Sequence, residues 1–348
     1  MSRLLFKLIT AFGLLRLWQF AMRKRVVILY LHGVMDDEVA SSWSPLRRQY
    51  SRQQLRQALR TLSKSYKFVS LDTARQILAG EIAPIERCMV LTFDDGYLNN
   101  WKHAAPILQE FGIPTVFYVA TGNVEKREPF WVDRLDYAIQ AAVKSNTDVV
   151  VNGQTVTLRA GSREELIATF KQLRDIAKAG ERSDEEMRAE IEAITSRFEA
   201  ESGAALDDIF ETDDWAGVMS WEDVKNAACD ELITVGSHTV DHVRLGEVED
   251  TRASNELTQS KAQIESRTGQ ECEHFCYPNG SFNERTASLV ANAGYKTAVT
   301  VETGTNKPGE NPLLLRRIHL PDTDDEAQIE YVASGLSDAI ANLRKRFD

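Results

Sequence analysis

Seven stretches of the chain are near-continuous apolar runs: 26–31, 88–93, 115–120, 232–236, 274–277, 296–301 and 313–318. Short runs of this kind, without the alternation of a half-exposed sheet, predict strands buried on both faces, as in a parallel sheet covered by helices. Between most of them the period changes to that of a helix. Ser51 stands where an N-cap would open a helix running to Leu62, and a second helix over 99–111 stops at Gly112 with Pro114 beyond. A long helix over 251–268 stops at Gly269, and another over 283–293 stops at Gly294. Strands and helices in this alternation predict an α/β fold, a closed parallel (β/α) barrel of about seven strands.

The stretch 125–214 breaks the rhythm. It opens with Pro129-Phe130-Trp131-Val132-Asp133-Arg134-Leu135, forms a hairpin over 148–158 that turns at Asn152-Gly153, and continues in charged helical segments over 162–178 and 183–198. It reads as a helical insertion into a barrel domain spanning 26–325, a lid or substrate wall rather than a domain of its own. A C-terminal helix is expected over 326–348. Residues 1–25 are rich in Leu, Ile, Phe and Trp, with polar or glycine positions at Arg3, Lys7, Thr10, Gly13, Arg16 and Gln19, then Arg23-Lys24-Arg25. The longest charge-free stretch there, 8–15, is too short for a bilayer, which takes about 20 apolar residues. No small-residue cleavage site is visible. A basic amphipathic helix at a membrane surface is expected, the alternative being a helix packed on the protein's own surface.

Polar residues follow directly on the strands: His32, Asp94, Asp95, His238, Asn279 and His319. In a closed α/β barrel the strand C-termini converge on one face, so these residues should meet. Asp94 and Asp95 are the most demanding. Adjacent carboxylates at the end of a buried strand repel each other and lose hydration, and a cation removes that cost. His238 and His242 stand in H-x3-H spacing, which on a helical turn puts both rings on one face, about 5–6 Å apart at Cβ. One carboxylate and two imidazoles leave a fourth position for water, the form of a catalytic zinc site, and the other carboxylate is then free to act as base on that water. A divalent metal is expected, zinc first, with cobalt, nickel or manganese as alternatives.

A net charge of −11 and a pI near 5.2 exclude nucleic acid as the main partner. Cys88, Cys229, Cys272 and Cys276 are too few and too scattered for a disulfide framework. A reducing compartment follows, and with the N-terminal segment it gives the expectation of a cytoplasmic protein held at the inner face of a membrane, an envelope-facing anchor being the alternative. Strand alternation accounts for Cys272-Glu273-His274-Phe275-Cys276 better than a second metal cluster does.

Thr92-Phe93-Asp94-Asp95-Gly96-Tyr97 together with Ser237-His238-Thr239-Val240-Asp241-His242 resembles the NodB-homology polysaccharide deacetylases, carbohydrate esterase family four. The resemblance covers roughly 26–320 outside the insertion. It implies a distorted parallel barrel and metal-assisted removal of N-acetyl or O-acetyl groups from an oligosaccharide or polysaccharide. It also implies that Asp94 is the catalytic base and that Asp95, His238 and His242 hold the metal. Phe275-Cys276-Tyr277-Pro278-Asn279-Gly280 resembles the third motif, which makes Tyr277 and the backbone N–H of Asn279 candidates for oxyanion and substrate contacts. Cys276 departs from the commoner pattern, in which an arginine orients the base; Arg316 or Arg317 is the candidate replacement. Leu315-Arg316-Arg317-Ile318-His319 fits the motif that carries the general acid in many members. Tyr30-Leu31-His32-Gly33-Val34 resembles the early motif of the subgroup similar to deacetylases of poly-N-acetylglucosamine and chitooligosaccharides, which favours His32 over His319. Trp131 is the candidate sugar platform. The alternatives are a deformylase or deacetylase of a lipid-linked sugar and a carbohydrate-binding protein with a vestigial site.

Overall fold

Seven parallel strands close on themselves: β1 (Val26–Leu31), β2 (Cys88–Phe93), β3 (Thr115–Val119), β4 (Ile233–Ser237), β5 (His274–Cys276), β6 (Thr297–Thr303) and β7 (Leu315–His319). Each pairs with its neighbours in sequence, and β1 pairs with both β2 and β7, which completes the ring. The computed structural model describes residues 13–36, 43–180 and 182–344.

The two-residue period of the strands sorts their side chains between two cores. Val27, Leu29, Leu31, Met89, Leu91, Phe93, Phe117 and Ala298 face outward and pack under the surrounding helices. Val26, Ile28, Val90, Val116, Val299 and Leu315 face inward, into a second cluster inside the barrel. Leu71, Ala74, Ile77 and Leu78 of the helix Leu71–Ala79 join that inner cluster and plug the end where the strands begin. Sequence reasoning passed over this helix, although Ser70 caps it and its apolar residues recur at helical spacing. Toward the other end the inward series turns polar. Val26, Ile28 and Tyr30 lead to His32; Val90 and Thr92 lead to Asp94; Leu315 leads to Arg317 and His319.

Most helices begin and stop where the local chemistry places them. Ser51 accepts from the Gln54 amide and Gln54 returns the bond, a capping box at the start of Arg52–Ser63. The helix expected over 99–111 is in two parts: a π-helical turn over Asn100–Ala104, then an α-helix over Ala105–Phe111. Pro106 lies at the junction, where it removes an i→i−4 donor and widens the turn. Two short helices, Glu326–Ala333 and Leu336–Arg344, replace the single helix expected over 326–348, separated at Gly335, whose φ is 74°; residues 345–348 of that expectation lie outside the described residues.

Of residues 1–25, the first twelve lie outside the described residues, and Leu14–Ala21 is a helix. Leu15 and Gln19 are buried, Leu15 packs with Tyr331, and the Trp18 indole donates to the Ser334 carbonyl at 2.9 Å. The opposite face is exposed and apolar: Leu14 is 51% exposed, Leu17 66% and Phe20 58%. The helix therefore both packs on the protein and presents an apolar face outward. It leads into the start of β1, the end of the barrel away from the polar strand ends. Among the described residues no helix is long and apolar enough to cross a membrane.

Between β3 and β4 lies a second small core. The helix Trp131–Ala142, the hairpin Thr147–Val151 with Gln154–Leu158, and the helices Arg163–Ala177 and Asp184–Ser202 pack on one another through Leu135, Ile139, Val149, Phe170, Ile191 and Phe198. The hairpin turns at Asn152 and Gly153, both left-handed, as a two-residue turn requires. One edge of this unit reaches over the polar end of the barrel.

Candidate active site

At the end of β2 the chain turns sharply. Asp95 has φ 75° and Gly96 φ 77°, so successive left-handed residues send the Asp94 and Asp95 carboxylates in different directions. A Cβ on Gly96 would also press on Val119 at 3.3 Å. Asp94 points into the barrel and Asp95 toward the loop after β4.

Arg317 engages Asp94 with both arms of its guanidinium, at 2.7 Å and 2.7 Å. It is fully buried, donates also to the Thr300 carbonyl at 2.8 Å and Thr92 Oγ1 at 3.1 Å, and lies 4.3 Å from the Tyr30 ring centroid. Burial alone would raise the Asp94 pKa, but the charge and hydrogen bonds of Arg317 outweigh it and hold the carboxyl below its ordinary value. Of Arg316 and Arg317, it is Arg317 that reaches Asp94. Arg316 lies on the outer parity of β7 and pairs with Glu310 at 3.5 Å. Cys276 Sγ is 3.3 Å from an Arg317 nitrogen, so the arginine of β7 occupies the space beside the residue at which the commoner pattern carries its own.

Asp95 meets both histidines. Its Oδ1 is 3.4 Å from His238 Nε2 and 3.4 Å from His242 Nε2. The residues between the histidines are not helical, contrary to the expectation from their spacing. Thr239 and His242 are left-handed, at φ 67° and 52°, and the loop is pinned from both sides. Glu256 accepts from the amides of Val240 and Asp241 at 2.7 Å and 2.9 Å, and Arg188 of the insertion donates to the carbonyls of Asp241 and His242. A buried carboxylate collecting the free N–H groups replaces the helix that would have satisfied them. The rings still converge, with centroids 4.8 Å apart.

These three residues fit a divalent metal. Their donor atoms lie within 4.8 Å of one another. Ligands at 2.0–2.1 Å from a tetrahedral ion sit about 3.3–3.4 Å apart, which the Asp95–histidine separations match. His238 Nδ1 is held by the Cys276 carbonyl at 2.7 Å, which turns Nε2 toward the site, an outer contact typical of ligating histidines. Burial pushes His242 down to about 4, whereas at His238 burial is overcome by Cys276 and the Asp95 carboxylate, which raise it well above its ordinary value, a proton that a cation at this position would displace. Asp94, His238 and Cys276 also approach one another. That set suits a metal poorly, because Arg317 already saturates the Asp94 carboxylate and burial raises the Cys276 thiol.

One cavity of about 520 Å³ gathers His32, Asp94, Asp95, His238, His242, Tyr277, Asn279, His319 and Trp131. His32 and His319 are neighbours there, with ring centroids 6.5 Å apart. Burial lowers both pKa values, and His319 falls to about 4. The groups around them differ. After burial, Asp95 and Asp94 act most strongly on His32, whereas His32 and Arg48 act on His319, whose Nδ1 lies 3.3 Å from the Tyr50 hydroxyl. Tyr277 is a cavity wall whose hydroxyl donates to the Leu313 carbonyl at 3.1 Å and whose amide donates to Val299, so neither is free for an oxyanion. Asn279 is left-handed, at φ 55°, and its side chain accepts from Lys178. Trp131 sits in the cavity wall with the Lys178 ammonium 5.5 Å from its ring centroid. Sequence reasoning missed the insertion cations of this cavity, Lys171, Arg174 and Lys178; basic residues recurring on one face of 163–178 were the available signal.

The fold has solved relatives. A Streptococcus pyogenes deacetylase, PplD, in complex with acetate matches with a TM-score of 0.57 at 17% identity, covering 89% of this chain and 99% of that one. IcaB from Ammonifex degensii matches with a TM-score of 0.55 at 19% identity, covering 89% of this chain and 97% of that one. BC0361, a polysaccharide deacetylase from Bacillus cereus, matches at 0.54 and 16% identity, covering 90% and 69%. The YxkH protein of Bacillus subtilis (strain 168) is 20% identical over 255 residues, 73% of this chain, and the chain spans 59% of that protein's length. Residues 82–298 match the sequence profile of the polysaccharide deacetylases, a stretch that includes Asp94, Asp95, His238, His242 and Asn279. With that match over more than half of its length, the chain belongs to the polysaccharide deacetylase family.

Proposed function

We propose that this protein is a metal-dependent hydrolase that removes N-acetyl groups from an oligosaccharide or polysaccharide containing N-acetylglucosamine. The observation that carries the reading is the division of labour between adjacent carboxylates: Asp95 converges with two imidazoles, while Asp94 is held ionised by Arg317 in the same cavity. A divalent ion held by Asp95, His238 and His242 would polarise the acyl carbonyl and acidify water. Asp94 takes the proton of the attacking water. The carbonyl oxygen becomes an oxyanion, for which the Asn279 backbone N–H is the proposed donor. His32 gives a proton to the departing nitrogen, the C–N bond breaks, and acetate and a free amine result. The early Tyr30-Leu31-His32-Gly33-Val34 motif is the reason to choose it over His319; burial lowers the pKa of both rings, and Asp95 and Asp94 offset that only in part at His32.

The direct test is a screen for acetate release on chitooligomers, peptidoglycan fragments and acetylated xylan, with formate assayed in parallel. Acetate from an N-acetylglucosamine oligomer is the expected result; release from none of these substrates contradicts the reading. The choice of acid has its own test. His32→Ala should lower kcat by roughly 100-fold or more at unchanged metal content, the size of an acid–base contribution. His319→Ala should be milder, and the reverse order would assign the acid to His319.

A second reading, a deformylase or deacetylase of a lipid-linked sugar at a membrane surface, is favoured by the exposed Leu14, Leu17 and Phe20. Basic residues near an anionic bilayer contribute about 1 kcal/mol each, so Arg16, Lys24 and Arg25 would assist such a helix. Deleting residues 2–22 should leave the barrel folded and metal bound, since β1 begins at Val26 and the helix touches the body mainly through the C-terminal helices. It should weaken binding to anionic vesicles. Equal vesicle binding with and without the segment would remove the membrane reading.

A further inference from the structure

We propose that the catalytic cavity contains an anion subsite built from Arg174 and Lys178, and that the sugar it accepts carries a phosphate or carboxylate group in addition to its N-acyl group. This rests on the deacetylase reading above and narrows its substrate class.

Charged residues line two adjoining cavities that share Trp131 and His242. In the outer one, of about 480 Å³, the cations are paired: Arg134 with Glu192 and Glu199, Arg188 with Asp184, Arg252 with Asp241 and Glu256, and Lys126 with Asp241. In the catalytic cavity Arg47 pairs with Asp133, Arg48 with Asp322 and Lys171 with Asp175. Arg174 and Lys178 are different. Among the described residues neither forms an ion pair, and the buried Nε of Arg174 has no hydrogen-bond partner.

The two stand four residues apart at the end of Arg163–Ala177, so they share a helix face. Cations at a helix C-terminus favour the helix dipole, but that effect is available to side chains in water. These are turned into the cavity and half-buried, where two like charges four residues apart oppose each other. Phe170 and Trp131 offer ring faces, at 5.4 Å and 5.5 Å, which compensate only in part. An anion between them would supply what the described residues do not. Lys178 also donates to the Asn279 side chain, which ties this subsite to the third motif. The overall charge of −11 makes two cations without ion pairs among the described residues a local feature, not a reflection of composition.

The test compares matched substrates with the metal-loaded full chain: a neutral N-acetylglucosamine disaccharide, its counterpart containing N-acetylmuramic acid, and N-acetylglucosamine 1-phosphate. At least one acidic sugar should exceed the neutral one in kcat/KM by about tenfold at low salt, with the advantage shrinking as ionic strength rises. Arg174→Gln should remove the advantage through KM, and Arg174→Lys should keep part of it. Arg174→Gln should melt at or above the parent temperature, because it relieves a like-charge contact. The acidic sugar that gains most distinguishes phosphate from carboxylate. Binding of the same sugars to the Asp94→Asn protein separates this inference from the reaction itself. Arg174-dependent preference in binding, without turnover of any sugar, would sustain the subsite and sink the deacetylase reading. Turnover with no acidic preference, a preference that survives Arg174→Gln, or a fall of several degrees in Tm for Arg174→Gln would overturn the subsite.

Discussion

Asp94→Asn should abolish turnover while leaving the metal bound and the barrel folded. The amide keeps the shape of the carboxylate and can still accept from one arm of Arg317, at a cost in stability because that buried guanidinium loses its counter-charge, but it cannot take a proton from water. Loss of a positioned general base costs roughly 10²–10⁴ in rate. Asp95→Ala, His238→Ala and His242→Ala should behave differently. Each removes one of three converging donors and should empty the site as well as stop the reaction. Metal analysis of the purified variants, beside their kcat values, separates the two classes. Asp94→Asn arriving without metal, or Asp95→Ala retaining a full equivalent, would contradict the division of roles.

Arg317→Met should be damaging twice over. It leaves Asp94 buried without its cation, and breaking a buried, bidentate pair from one side costs about 3–5 kcal/mol. The same change lets burial raise the Asp94 pKa, so the acid limb of the pH–rate profile should move toward higher pH. The sign for stability follows from the lowered folded pKa: the pair contributes fully above the ordinary carboxylate range near pH 4 and is lost as pH falls through the lowered value. Arg317→Met should therefore flatten the acid limb of the stability profile. Because Cys276 Sγ lies against the guanidinium, Cys276→Arg in the Arg317→Met background should return part of both stability and activity, moving the arginine to the position of the commoner motif. Thermal melting and a pH–rate profile of the three proteins check this. Wild-type-like stability of Arg317→Met would show that the pair is not what holds Asp94.

The barrel was legible because its strands are buried on both faces and therefore read as apolar runs, each followed by the residue it delivers to the site. Strand parity also selects the arginine. Leu315, Arg317 and His319 share a face, which is enough to choose Arg317 over Arg316 as the partner of Asp94. The loop from His238 to His242 was not legible. Its shape depends on Glu256 and Arg188, which come from a distant helix and from the insertion, so spacing alone suggested a helical turn. The motif around Tyr277 points to chemistry, yet its hydroxyl donates to the Leu313 carbonyl, a contact set by the pairing of distant segments. The cations of the insertion were visible as residues but not as members of the site. Only the docking of that unit over the strand ends brings Arg174 and Lys178 into the cavity.

The central claim is that Asp95, His238 and His242 hold a metal that the reaction requires, with Asp94 beside it as the base. The measurement that meets it most directly is acetate release from an N-acetylglucosamine oligomer by protein stripped with a chelator and then titrated with zinc. The account predicts that release stops on stripping, returns in proportion to zinc up to one equivalent per chain, and fails to return at any zinc concentration in Asp94→Asn. Unchanged release from the stripped protein, or recovery in Asp94→Asn, would contradict it.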